Sequence, residues 1–193
     1  MKKAAKAVIA ADGAAAEAAA PYAQTEIVRI AGWLSEVGDQ PPMRVLCAAV
    51  IAAGLAGPNK RLARAGVRMI AAHTLATLAK GFVKDRVDRS RPRSGPDHLP
   101  RLGRRTDKEH TSFPSGHSAG AAAVARAYAR EFPEHEAAAL AGAGAIAITQ
   151  IPRSAHYPTD VGVGLAIGWL SELAVDRLLN AFERPDEPFP EGR

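Results

Sequence analysis

Three short segments of this 193-residue chain hold polar side chains that a core helix would not otherwise keep. In the first, residues 84–92 read Lys-Asp-Arg-Val-Asp-Arg-Ser-Arg-Pro. Lys84 and Arg91 are seven positions apart, about two helical turns, so the spacing predicts both cations on one face before Pro92 ends the helix. An ammonium and a planar guanidinium fixed side by side suit a cluster of phosphoryl oxygens. Taken alone, the segment reads more simply as a solvated basic face. In the second, residues 112–118 read Ser-Phe-Pro-Ser-Gly-His-Ser and lead into an alanine-rich run. Pro114 and Gly116 predict a tight turn into a helix whose first N–H groups, with the Ser115 hydroxyl, form an anion cradle. His117 then stands beside whatever the cradle holds. In the third, residues 153–160 read Arg-Ser-Ala-His-Tyr-Pro-Thr-Asp. A spacing of four predicts His156 and Asp160 as neighbours on one helical face, with Pro158 in the first turn. A carboxylate on one imidazole nitrogen fixes the tautomer and leaves the other free to attack, the logic of a histidine nucleophile. The plainer alternative is an ordinary helical pair, which would need none of Lys84, Arg91 or His117.

The elements that must position these residues read as helices. Alanine dominates a composition that is 47% hydrophobic, 23% charged and only 5% aromatic, which predicts a single foldable domain of helices packed through small side chains. One cysteine, Cys47, excludes an internal disulfide framework and a multi-cysteine metal site, so any metal would have to rest on His and carboxylates. The formal net charge of +5 resides in residues 80–110, which hold ten Lys/Arg against five Asp/Glu. That points to an anionic partner. Between Lys84 and His110 there is no Phe, Tyr, Trp, Asn or Gln, so nucleic acid is not the expected one.

Uncharged apolar runs at 45–57, 137–152 and 161–171, with interrupted ones at 69–79 and 118–125, predict about five core helices. Pro58-Asn59, the Gly/Pro-rich stretch 92–100, Pro133 and Pro152 separate them. An N-terminal helix precedes them. Residues 1–20 superficially resemble a secretory signal, but Asp12, Gly13 and Glu17 interrupt the apolar stretch, and an Ala-rich surface helix is the preferred reading. The expected organisation is an N-terminal segment, 1–41, a helical domain, 42–183, and an irregular tail, 184–193. Gly116-x-x-x-Gly120 and Gly164-x-x-x-Gly168 predict close helix contacts. No run reaches the roughly 18–20 residues of an unambiguous span, yet flanking arginines such as Arg44, Arg68, Arg126 and Arg130 can snorkel, and the bundle is expected to be membrane-embedded.

Together the three segments resemble the type 2 phosphatidic acid phosphatase superfamily, which also contains bacterial class A acid phosphatases and vanadium haloperoxidases. That family's pattern is Lys, six residues, Arg-Pro; then Pro-Ser-Gly-His; then Ser-Arg, five residues, His, three residues, Asp. Lys84 to Pro92, Pro114 to His117, and His156 with Asp160 match it in order across about 77 residues. The resemblance implies an all-α enzyme that hydrolyses a phosphomonoester or pyrophosphate, often of a lipid, without a cofactor or a metal. His156 would attack phosphorus to give a phosphohistidine, Asp160 would orient it, and His117 would protonate the leaving oxygen and later assist water. Lys84, Arg91, Ser115 and the Gly116 N–H would stabilise the equatorial oxygens. One departure stands out: Thr149-Gln150 occupies the place of the family's Ser-Arg, and Arg153 is the candidate to reach the same oxygens.

The alternatives are a vanadium-dependent haloperoxidase and a non-catalytic basic anion-binding membrane protein. The expected partners are a phosphorylated lipid or small phosphate, and a membrane. If 69–83 spans outward, Lys60, Arg61, Arg64, Arg126, Arg130 and Arg177 fall on the face opposite the site. That predicts a multi-pass inner-membrane protein with the site facing the periplasm or outside, the alternative being a soluble phosphatase.

Overall fold

Polar caps and prolines set where the helices begin. The computed structural model describes residues 3–95 and 99–183, so the expected tail at 184–193 lies outside the described residues. Helix α1 spans Lys3–Ala19. Helix α2, Glu26–Ser35, starts where Thr25 accepts from the Val28 N–H, and α3, Gln40–Ala56, starts with prolines in its first turn. Asn59 caps α4, Lys60–Lys84, by accepting from the Leu62 N–H at 3.0 Å. Ser115 caps α5, Gly116–Glu131, and a 3-10 turn at Pro133–His135 leads into α6, Glu136–Thr149. Helix α7 is Pro158–Glu183, its first residue the proline that needs no donor there. The expected all-α bundle is observed, with α3 to α7 as its core.

Helix α5 is the centre of the bundle. Its alanines, among them Ala119, Ala123 and Ala127, are buried against α4, α6 and α7. The approach of α7 is close enough that a Cβ on Gly164 would lie 2.5 Å from the Ser115 carbonyl oxygen, and one on Gly168 2.2 Å from that of Ala119. The Gly164-x-x-x-Gly168 spacing read from the sequence is therefore a backbone contact, whereas Gly116 and Gly120 face the Lys80 and His73 side chains. Met43, Cys47, Met69, Ala72 and Ala76 of α3 and α4 complete the apolar centre.

The link from α4 to α5 departs from expectation. Residues 85–91 are not helical: α4 ends at Lys84, and Val87–Asp88 (β1) pairs antiparallel with Arg101–Leu102 (β2). Pro92 holds Arg91 extended, and the Arg89 and Arg91 N–H groups donate to the His110 and Glu109 carbonyls at 2.9 Å. Pairing with a second segment thus replaces the helical turns that the spacing suggested.

Among the described residues, no helix is long and apolar enough to cross a membrane. Large apolar side chains are nonetheless exposed on several helices, including Ile27, Ile30 and Trp33 of α2, Leu78 and Phe82 of α4, and Leu170 and Phe182 of α7.

Candidate active site

One end of the bundle gathers the C-terminal ends of α4 and α6 and the N-terminal ends of α5 and α7, with the end of α2 against them. The helix ends are tied backbone to backbone, since the Ser115 N–H donates to the Asp160 carbonyl at 3.0 Å. All three chemistry-bearing segments meet here.

His156 is buried at 3% exposure in the turn before α7, not within the helix. Helical spacing therefore does not bring it to Asp160. Instead the Asp160 carboxylate folds back over the helix start, where its Oδ2 accepts from the Tyr157 N–H at 3.0 Å and lies 3.6 Å from His156 Nδ1. That distance exceeds a hydrogen bond and fixes which nitrogen faces the carboxylate. Burial pushes His156 down to about 4, Arg91 and Lys84 act in the same direction, and Asp160 opposes them. The imidazole is therefore neutral at pH 7, the state a nucleophile requires. Burial favours the neutral form of Asp160, but His156, Arg89 and the Tyr157 N–H outweigh it and hold the carboxyl below its ordinary range.

Behind Asp160 lies a buried chain of charges that sequence reasoning did not find. Arg89 Nη1 donates to Asp160 Oδ1 at 2.6 Å and to Thr159 Oγ1 at 2.8 Å, and its Nη2 donates to Asp12 Oδ2 at 2.7 Å. Asp12 Oδ1 accepts from the Thr159 N–H at 3.0 Å, and the guanidinium lies 4.0 Å over the Tyr157 ring. Asp12 is 2% exposed, so α1 is a surface helix that drives one carboxylate into the site. The charged residue that interrupts the alanines of α1 was the available signal. Arg89 gave none, being one arginine among many in a basic run.

Ser115 and Gly116 form the turn into α5 as the sequence predicts. The Ser115 oxygen accepts from Ser118 Oγ at 2.9 Å, which leaves its own proton free to donate to an anion. Lys84 forms no hydrogen bond or ion pair with any described residue. Burial pushes its amine down to about 8, helped by Lys80 and Arg91 against Asp160. The Arg91 guanidinium donates to the Ala155 carbonyl at 3.1 Å, one residue from His156.

His117 stands on the more open side. Its Nε2 lacks a hydrogen bond and lies 4.0 Å from Glu36 Oε2. Burial lowers its pKa, Asp39 and Glu36 oppose, and Arg153 and Arg91 add to the lowering. Donor atoms of Glu36, Asp39 and His117 lie within 4.8 Å of one another, the spacing a cation would need, but Glu36 is already the partner of Arg153. Arg153 Nη1 donates to Ser35 Oγ at 2.9 Å and its Nη2 to Glu36 Oε1. The buried Gln150 amide donates to the Ile146 carbonyl at 3.0 Å and to Ser35 Oγ at 3.3 Å. Gln150 and Arg153 thus bond to Ser35 at the end of α2, to Glu36 just after it, and to Ile146 of α6.

The family model described as the PAP2 superfamily matches residues 65–184. Lipid A 1-phosphatases of Rhizobium etli and Rhizobium johnstonii are each 35% identical over 115 residues, covering 55% of this chain and 50% and 47% of theirs. The chain therefore spans about half the length of the curated relatives it matches. A solved structure described as the first transmembrane PAP2 type phosphatidylglycerolphosphate phosphatase from Bacillus subtilis shares the fold. Its TM-score is 0.62 at 20% identity, over 97% of this chain and 90% of that one.

Proposed function

Because the chain belongs to the PAP2 superfamily, we propose that it is a lipid phosphatase that cleaves a phosphomonoester or pyrophosphate through a phosphohistidine on His156. One observation carries this reading: a buried, neutral imidazole backed by Asp160 faces the Lys84 ammonium and the Arg91 guanidinium at one end of the bundle. With Nδ1 toward Asp160, Nε2 is the attacking atom. As the N–P bond forms and the P–O bond breaks, His117 gives its proton to the leaving oxygen. His117, now neutral, next takes a proton from water; the new O–P bond forms, the N–P bond breaks, and phosphate leaves. Lys84, Arg91, the Ser115 hydroxyl and the Gly116 N–H stabilise the equatorial oxygens throughout. These groups supply the charge that a metal would otherwise bring.

The lipid class is supported by the names of the relatives, whose stated substrates are lipid A and phosphatidylglycerolphosphate. Ile27, Ile30 and Trp33 of α2 support it independently, since these exposed apolar residues lie on the helix whose end touches the site, suited to a membrane surface.

The test is phosphate release from a panel of lipid and soluble phosphates in detergent, with and without EDTA. Release should resist EDTA, be inhibited by vanadate, and pass through an acid-labile, base-stable phosphoprotein that His156→Ala lacks. Loss of activity on chelation, restored by a divalent metal, overturns the mechanism.

A further inference from the structure

Lys80 lies on α4 one turn before Lys84. Its side chain runs under the turn into α5: a Cβ on Gly116 would lie 3.0 Å from Lys80 Nζ and 3.7 Å from its Cε. Glycine at 116 therefore does more than free an N–H for the anion, because it gives Lys80 access to the cradle from below. Lys80 is half-buried and forms no hydrogen bond or ion pair with any described residue. Burial lowers its pKa, and the carboxylate of Asp39, exposed at the end of the α2–α3 turn, opposes this. His73, about two turns earlier on α4, is buried, unpartnered at Nδ1 and pushed by burial toward its neutral form, so it adds no second positive charge beside Lys80. A half-buried ammonium without a partner is costly unless a ligand supplies the missing acceptor.

The family pattern puts an arginine at the position of Gln150, and neither local substitute is available. The Gln150 amide is bonded to Ser35 and Ile146, and the Arg153 guanidinium is held by Ser35 and Glu36. We propose that Lys80 is a phosphate-binding residue of this site, its Nζ donating beside the Gly116 N–H to an oxygen of the bound phosphoryl group. Its charge takes the place of the arginine missing at residue 150. The anion-binding set is then Lys80, Lys84 and Arg91, three cations from the end of α4 and the segment after it. This assignment rests on the phosphatase reading above.

The experiment measures the affinity of the full chain in detergent for inorganic phosphate, by equilibrium dialysis, and for orthovanadate, by inhibition. Lys80→Met should weaken both by roughly ten- to a hundredfold, the loss of one charge-assisted hydrogen bond, while Lys80→Arg should stay within about threefold of wild type. Should Lys80→Met not fold, judged by its thermal transition, Lys80→Gln replaces it under the same limits. Unchanged anion affinity in the uncharged variant overturns the role of Lys80 and leaves the phosphatase reading standing. A wild-type chain that binds phosphate but releases none from any substrate overturns that reading and leaves Lys80 to be judged by affinity alone. A wild-type chain that binds neither anion overturns both.

Discussion

The two ends of the helical bundle are both rich in cations, and they treat them oppositely. At the end remote from the site, Arg68 bridges Glu131 at 2.8 Å and Asp176 at 2.7 Å, and Arg64 reaches Glu131 at 2.9 Å. Arg61 meets Glu134 at 3.0 Å, Arg126 meets Glu136 at 2.6 Å, and Arg130 meets Glu172 at 2.7 Å. At the site end, Lys80 and Lys84 carry their charge into partial burial with no carboxylate in contact. Leaving such a charge unpaired costs several kcal/mol in a dry setting, so the pairing itself separates cations that hold the fold from cations that await an anion. The rule also works within the site, where Arg89 lies between Asp12 and Asp160 and so acts as a positioning residue. Arg61, Arg64, Arg126 and Arg130, which the sequence places on the face opposite the site, fall under the same rule, for each meets a carboxylate of this chain.

The largest effect that this contrast predicts lies at the proposed nucleophile. His156→Ala should lower phosphate release by at least about a thousandfold with every substrate, because in the proposed mechanism no other group forms the covalent bond. A residual rate within tenfold of wild type would remove His156 from that role. Next comes the remote end. Glu131→Gln strips a buried carboxylate from Arg64 and Arg68 and should cost about 3 kcal/mol of folding stability, read as a lower Tm, with kcat/KM of the folded fraction unchanged. If activity falls while Tm holds, the two ends are not separate in function. A smaller effect belongs to the positioning chain. Asp12→Asn keeps the shape but loosens Arg89 and with it Asp160, so kcat should fall about tenfold with KM unaltered. An equal fall produced by a distant α1 substitution would show a structural role only.

The contrast also explains how much could be read from the sequence. As candidates, Arg91 and His117 were legible because each adjoins a proline or glycine at a helix end, and Lys84, His156 and Asp160 because they stand at fixed spacing from such residues. Their local geometry was less so. Both the Lys84–Arg91 and the His156–Asp160 pairs looked helical by spacing, and in both cases a proline-directed turn and long-range hydrogen bonds decided otherwise. Asp12, Ser35 and Glu36 were invisible as site residues, since they arrive from α1 and α2 through tertiary packing that no local pattern encodes. Lys80 was hidden by its own neighbourhood, being one cation in a stretch where cations are the norm.

The smallest predicted effect separates the two histidines by pH. His156, at about 4, is neutral above that value, and Lys84, at about 8, is charged below its own. These two bound the range in which any substrate can react in the free enzyme. His117 must be protonated to serve as acid, and its lowered pKa places that state on the acid side of 6.5. An alkyl phosphate needs that proton because an alkoxide leaves poorly, whereas a nitrophenolate leaves without it. The ratio of alkyl to p-nitrophenyl kcat/KM should therefore fall several-fold as pH rises from 5 to 7.5 in the wild-type chain, with single-turnover phosphorylation as the measured step. In His117→Gln the ratio should be low and flat across the same range, for there is no proton left to lose. A wild-type ratio that does not move with pH would assign the acid to another group, and the open side of the site would then be a binding surface for the leaving group rather than a source of protons.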